Sequence, residues 1–421
     1  MFLRFFKLFV SALLTALLAA ACGSGEPAAA PTGLAVVTGE SSATVSWDMV
    51  DGVEYWVYFA PTSVTPPTTA TMQGWFGLPG GNVLLKVNSP YLVTGLVNGT
   101  SYSFSVNGRI DGGPGGPGAT PVVATPRIAG SSWKAGTPIT GGADLRGIAY
   151  GTTTATTTTA AQSTYVAAGT GGALYSSTDG ATWSAINYAT STRLNGGFFS
   201  GGYMVVGDGG VVLKSTDAVT WTAQNSGTTQ NLYAISSNLV NLNVAVGAAG
   251  TIITSPDAVT WTAANSGTTS DLYAVSYNAG IWIAVGAGGT MVKSSDGLTW
   301  QGVTSNTSAD LHGIAYGITS LPLAATVTTG FVAVGASGTA LTSADGTTWT
   351  AQTLTGAGAL NAVAYGTQFV AVGAGGTIFT SIDGVTWTSA PPVTNQDLYA
   401  VVHGYFSYSA VGAAGTNLLS R

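Results

Sequence analysis

From residue 144 onward, apolar and polar residues alternate in short runs, and one succession of runs returns about every 39 residues. Each cycle opens on a stretch such as Asp271-Leu272-Tyr273-Ala274-Val275. It continues with an apolar run ending in glycines, such as Phe369-Val370-Ala371-Val372-Gly373-Ala374-Gly375-Gly376, and closes on a tryptophan phrase. The phrases read SSTDGATW, KSTDAVTW, TSPDAVTW, KSSDGLTW, TSADGTTW and TSIDGVTW. They place Trp183, Trp221, Trp261, Trp300, Trp349 and Trp387 at spacings of 38, 40, 39, 49 and 38 residues. Alternation without a helical period predicts four short strands, A to D, in every cycle. Four-stranded units of about 40 residues predict the blades of a β-propeller.

The two ends set the expected blade count. Six complete cycles run from Asp144 to Thr388, and the last stretch, Asp397 to Arg421, supplies strands A, B and C without a tryptophan phrase. Ser132-Trp133-Lys134, ahead of the first cycle, supplies a fourth strand. Residues 127–421 are therefore expected to form a seven-bladed propeller whose last blade is closed by strands from both ends, leaving no open sheet edge. Two cycles carry extra residues between strands A and B, Thr152–Ser163 and Ile318–Thr329. The threonine tract suits a glycosylated segment, a solvated one or a hairpin extension.

Ahead of the repeats, residues 31–126 show strand-like runs separated by Gly, Pro, Asn and Asp, including Ala43-Thr44-Val45-Ser46-Trp47 and Tyr102-Ser103-Phe104-Ser105-Val106. Runs of this kind over about 95 residues predict a two-sheet sandwich. The segment resembles a fibronectin type III domain through Pro31-Thr32-Gly33-Leu34, the Trp47 phrase and Leu96-Val97-Asn98-Gly99-Thr100-Ser101-Tyr102. That resemblance implies a core role for Trp47 and a Tyr102 hydroxyl tied back to the backbone. The first 21 residues have Arg4 and Lys7 before an apolar run, the layout of a secretory signal peptide. Leu18-Ala19-Ala20-Ala21-Cys22 resembles the lipobox of bacterial lipoproteins. The resemblance implies lipidation of Cys22, a tether over 22–30, membrane attachment through the N-terminal lipid, and outer-membrane placement in the cell envelope.

The Ser-x-Asp-Gly-x-Thr-Trp phrase is similar to the Asp-box, or BNR-like, repeat of sialidase-like propellers. The opening Asp144-Leu145-Arg146-Gly147-Ile148-Ala149 resembles the repeats of photosystem II assembly-factor-type propellers, with Arg146 the only clear match to their arginine patch. On physical grounds the hairpin carboxylates, Asp179, Asp217, Asp257, Asp296, Asp345 and Asp383, are expected to accept backbone N–H bonds across each C–D hairpin. Each Trp is expected to pack on the next blade. The residue after the Asp is glycine in four copies but Ala218 and Ala258 in two, which suggests a position that does not need positive φ.

Composition narrows the chemistry. Only 7 % of the chain is charged, against about 25 % in ordinary globular domains, while 45 % is hydrophobic, so disorder is excluded. A formal charge of −6 argues against a nucleic-acid partner. Two His and one Cys leave no metal centre and no cofactor expected. All three glutamates, Glu26, Glu40 and Glu54, precede the repeats, so the glutamate and arginine set of a sialidase has no counterpart here. A hydrolase would have to use paired aspartates. Asp310 beside His312 lacks a nucleophile motif, Asp208 suits a solvated turn, and His403 stands at a packing position. No catalytic residue is assigned.

The repeats differ most just after the repeated Leu of strand A. Arg146, Asn195, Tyr233, Tyr273, His312, Asn361 and Tyr399 follow one another around the predicted ring. Preceding that Leu come Asp144, Arg193, Asn231, Asp271, Asp310, Ala359 and Asp397. The innermost strand of a propeller lines its channel, so the first set is the expected binding rim, with aromatic and amide groups suited to a glycan or protein ligand. The reading is a non-catalytic envelope lipoprotein that binds or scaffolds through its propeller. The alternatives are an exported carbohydrate-active hydrolase and a periplasmic assembly factor.

Overall fold

The computed structural model describes residues 26–63, 75, 78–153, 162–320, 327–352, 354–404 and 407–420. The signal segment 1–21, Cys22 and tether residues 23–25, the middles of the two insertions (154–161 and 321–326) and Arg421 lie outside the described residues. The chain divides into two compact units, Met1–Ile128 and Ala129–Arg421. Among the described residues there is no α-helix, and none long and apolar enough to cross a membrane.

The first unit contains two antiparallel sheets. One orders Ala35–Gly39, Ser42–Ser46 and Tyr91–Thr94; the other orders Asn82–Leu84, Val53–Pro61, Tyr102–Ile110 and Val122–Ala124. Alternate residues of both sheets meet in one apolar cluster that includes Val45, Trp47, Tyr55, Val57, Phe104 and Val106. The Tyr102 hydroxyl accepts the Val97 N–H at 3.2 Å.

The second unit contains seven four-stranded antiparallel sheets among the described residues, numbered 1 to 7 in chain order. Their innermost strands are Leu145–Thr152, Leu194–Phe199, Leu232–Ser237, Leu272–Asn278, Leu311–Ile318, Leu360–Tyr365 and Leu398–Gly404. These strands pack side by side, and the seventh returns to lie against the first. In sheet 7 the outer strand is Lys134–Ala135, which pairs with Asn417–Ser420 through Leu419↔Lys134 and Leu418↔Ala135. The pairing thus sits slightly C-terminal to the expected Ser132–Lys134. Trp133 is buried beside it, among Leu398, Tyr408 and Leu418. The two insertions begin as extensions of their hairpins, with Thr152 opposite Ser163 and Ile318 opposite Thr329.

Neighbouring sheets are joined by apolar clusters, and the tryptophans sit there, but with the opposite partner from the one expected. Trp221 of sheet 2 clusters with Val166, Ala168 and Leu174 of sheet 1, and Trp300 of sheet 4 with Val244, Val246 and Ile252 of sheet 3. Each therefore packs on the preceding sheet. The C–D hairpin swings its tip backwards around the ring.

The hairpins repeat one hydrogen-bond set. In each, one Asp oxygen accepts the N–H groups two and three residues on, as Asp257 does from Val259 and Thr260 at 2.8 Å each. A serine two residues earlier donates its hydroxyl to the same oxygen, at 3.0 Å for Ser255. Asp257 and Asp296 are held at about 2 by these backbone donors. The Thr348 and Thr347 N–H groups likewise lower Asp345. At Asp179, Asp217 and Asp383 burial pushes upward, and the same donors outweigh it. The next residue has φ of +72° at Gly180, +74° at Gly297, +66° at Gly346 and +73° at Gly384. Ala218 (+62°) and Ala258 (+58°) adopt that conformation too. The alanines thus do not mark a relaxed position. The turn imposes the left-handed conformation on them, held by the same carboxylate bonds and by burial of the methyl against the preceding sheet.

Candidate functional site

A break in strand pairing positions the rim. In every sheet of the second unit the A–B register slips by one residue immediately after the repeated Leu, as between Leu232 and Ala234 or Leu272 and Ala274. The residue left without a partner is, in order, Arg146, Asn195, Tyr233, Tyr273, His312, Asn361 and Tyr399. Each is the extra residue of a β-bulge, a device that re-aims a side chain away from the ordinary alternation. All seven are half-buried, and all seven line one cavity of about 520 Å³.

Small residues behind the bulge make this convergence possible. The next residue is Gly147, Gly196, Ala234, Ala274, Gly313, Ala362 or Ala400. A Cβ on Gly196 would stand 2.6 Å from the Tyr233 carbonyl oxygen, and one on Gly147 would stand 2.8 Å from the Gly196 backbone. Innermost strands this close leave no room for larger side chains.

The rim groups interlock around the ring. Asn195 donates to the Leu232 carbonyl at 2.9 Å, His312 Nδ1 to the Leu360 carbonyl at 3.0 Å, and Asn361 to the Leu398 carbonyl at 2.8 Å, each reaching the next sheet. Since a carbonyl only accepts, His312 carries its proton on Nδ1. The tyrosines make tilted ring contacts instead. The Tyr233 and Tyr273 rings lie 5.6 Å apart, as do those of Tyr273 and His312. On the far side, the Arg146 guanidinium carbon lies 4.4 Å from the Tyr399 ring centre and the guanidinium is 3.6 Å from Asp144. Burial first, and then the charges of nearby aspartates, raise all three tyrosine hydroxyls above their usual value. Those aspartates are Asp271 for Tyr233, Asp310 and Asp271 for Tyr273, and Asp144 for Tyr399. The phenols are neutral hydrogen-bonding groups at physiological pH.

The carboxylates preceding the repeated Leu have a duty the sequence did not show. Asp271 Oδ1 accepts the N–H of Ala249, the middle residue of the tight B–C turn in the preceding sheet, at 2.8 Å. The same bond joins Asn231 to Gly209, Asp310 to Gly288, Asp397 to Gly375 and Asp144 to Ala414. The last of these latches sheet 1 to sheet 7. The periodic glycine turns were the available signal, because their exposed N–H groups require acceptors. Asp208 departs from the solvated turn expected of it, since Arg193 Nε lies 3.1 Å from its carboxylate and Asn195 donates to it at 2.8 Å.

Asp310 and His312 point to separate partners, Gly288 and Leu360, and do not form a pair. His403 packs edge-on against Tyr408, ring centres 4.7 Å apart. Among the described residues no group of His, Cys, Asp and Glu has the arrangement to hold a metal. Asp271 is the one carboxylate among the residues lining the cavity.

A ring of four-stranded antiparallel sheets with its innermost strands around a central cavity is a β-propeller, as the repeat period predicts. Solved structures share it. YCF48 from Cyanidioschyzon merolae matches with a TM-score of 0.53 at 18 % identity, over 69 % of this chain and 99 % of that one. A structure of YCF48 bound to D1 peptide matches with a TM-score of 0.54 at 17 % identity, over 68 % and 96 % of the two chains. At these identities the likeness is one of fold. No family model and no curated protein matches the chain.

Proposed function

We propose that this protein is a non-catalytic binding factor of the cell envelope that seats a segment of a partner polypeptide at the axis of a seven-bladed propeller. The observation that carries the reading is the convergence of all seven bulged residues on one cavity. They are the most varied positions of otherwise repeated strands, and bulges aim them away from the sheets. A β-propeller of the same fold is known with a peptide bound, which favours a polypeptide ligand over a glycan and an assembly role over passive display. A hydrolase would call for two carboxylates across the site, and Asp271 alone lines it.

In this reading residues 31–126 are a fibronectin type III-type spacer and residues 22–30 a tether. Cys22 carries the lipid once segment 1–21 is removed, and the outer membrane is the destination. The full chain and a Tyr233→Ala/Tyr273→Ala/Tyr399→Ala variant are used to capture envelope proteins and glycans. The expected result is a polypeptide retained by the first and lost by the second at equal folded content. Equal capture by the variant, or capture of glycan alone, overturns the proposal. Cys22→Ser is expected to leave an unlipidated precursor, and normal maturation of that variant would refute the anchor.

A further inference from the structure

The propeller contains its own example of a filled subsite. Tyr399 of sheet 7 carries the Arg146 guanidinium of sheet 1 at 4.4 Å from its ring centre, and Asp144 of sheet 1 stands 3.6 Å from that guanidinium. The three groups are an aromatic ring from one sheet, a cation from the next, and the carboxylate two residues before that cation. The repeat reproduces the ring and the carboxylate twice more. Tyr233 of sheet 3 is followed by Asp271 of sheet 4, with its hydroxyl 3.5 Å from Asp271 Oδ2. Tyr273 of sheet 4 is followed by Asp310 of sheet 5. At both places the residue equivalent to Arg146 is an aromatic ring, Tyr273 or His312, tilted by 51° or 56° against its neighbour. The cations lining the cavity, Arg146 and Arg193, belong to sheets 1 and 2. The arc of sheets 3 to 5 thus presents angled aromatic faces and the Asp271 carboxylate to the cavity, with the Asp310 charge near Tyr273 and no cation among the arc's lining residues.

We propose that this arc is a cation seat, and that the partner segment places a lysine or arginine side chain against Tyr233, Tyr273 and His312, facing Asp271, with Asp310 of sheet 5 adding its charge from outside the lining. The proposal rests on the cavity being the binding site, and it names what that site selects. A guanidinium or ammonium over tyrosine faces gains cation–π attraction, and the carboxylates supply its counter-charge. Asp271 Oδ1 is used by the Ala249 N–H, which leaves Oδ2 for the cavity side.

The test uses the full chain and a library of random peptides. Cavity binders are those lost on the Tyr233→Ala/Tyr273→Ala/Tyr399→Ala variant. Each is expected to contain a Lys or Arg whose replacement by Gln weakens binding about tenfold, the scale of a partly desolvated cation–π contact. Asp271→Asn/Asp310→Asn is expected to weaken the basic peptide by a similar factor and leave its Gln form unchanged. This double variant keeps an oxygen to accept the Ala249 and Gly288 N–H bonds, as Asn231 does naturally for Gly209, so it preserves the fold. Cavity binders indifferent to the loss of their basic residue, or to the Asn variant, overturn the cation seat while leaving the cavity reading standing. A library that yields no cavity binder overturns both.

Discussion

The Gly130 N–H donates to the Ser420 hydroxyl at 2.8 Å, although the two residues are 290 positions apart. The same bond joins Gly384 to Ser381 at 2.8 Å and Gly297 to Ser294 at 2.8 Å inside single hairpins. Trp133 then donates to the Gly130 carbonyl at 2.9 Å, as Trp387 does to Gly384 and Trp300 to Gly297. The seventh hairpin motif is therefore cut in two. Its serine stands at the C-terminal end of the sheet, its glycine and tryptophan come from residues 130–133, and Ala129 replaces its aspartate.

Closure of the ring depends on this split motif. Ser420 is fully buried and also donates to the Ser132 carbonyl. Ser420→Ala orphans a donor and an acceptor and is expected to cost about 1–3 kcal/mol in urea unfolding. Deleting residues 131–135 removes the closing strand and exposes the edge of Asn417–Ser420, so oligomers are expected by light scattering. An unchanged unfolding midpoint in both variants would refute the closure.

Acid is expected to weaken the hairpins over a defined range. An aspartate in the unfolded chain titrates at about 3.9, whereas Asp257 and Asp296 are held at about 2 in the fold. The folded state then binds fewer protons between those values. The stabilisation is complete above about pH 4 and is lost as pH falls towards 2. Melting temperature should drop over that interval, and Asp257→Asn should shallow the drop while lowering the melting temperature at pH 7.

Two alanines in the B–C turns are expected to be improvable. Ala249 and Ala414 are exposed at φ of +51°, where the equivalent residues Gly209, Gly288 and Gly375 have the same conformation without a Cβ. Ala249→Gly and Ala414→Gly keep the latch N–H and relieve left-handed strain, at some cost in backbone entropy. Each should gain about 0.5–1 kcal/mol by denaturant titration. A loss would mean that the turns are not strained.

Adjacent glycines on one strand should respond differently. A Cβ at Gly196 meets the Tyr233 carbonyl at 2.6 Å, whereas one at Gly197 has its nearest neighbours at 3.6 Å. Gly196→Ala is expected to cost about 1–3 kcal/mol through overpacking at the axis, and Gly197→Ala to be neutral or slightly stabilising. Equal effects would show that the innermost strands have slack.

The period of the tryptophans, the four runs per cycle and the incomplete last cycle are local properties of the chain. They were enough to give an all-β propeller with its ends sharing a sheet. The set of residues that converges on the cavity was also legible, because Arg146, Asn195, Tyr233, Tyr273, His312, Asn361 and Tyr399 stand out as variation against a repeated background. Their aim was not legible. Strict alternation does not encode a bulge, and only pairing with strand B leaves each of these residues unpartnered and turned towards the axis. Nor could the sequence show that Asp271 latches Ala249 of the sheet before it, or that Asp208 is taken by Arg193 and Asn195. The left-handed φ of Ala218 and the backward packing of Trp221 were equally hidden. Each of these depends on contact between elements distant in the chain, and such contacts exist only once the sheets have closed around the axis.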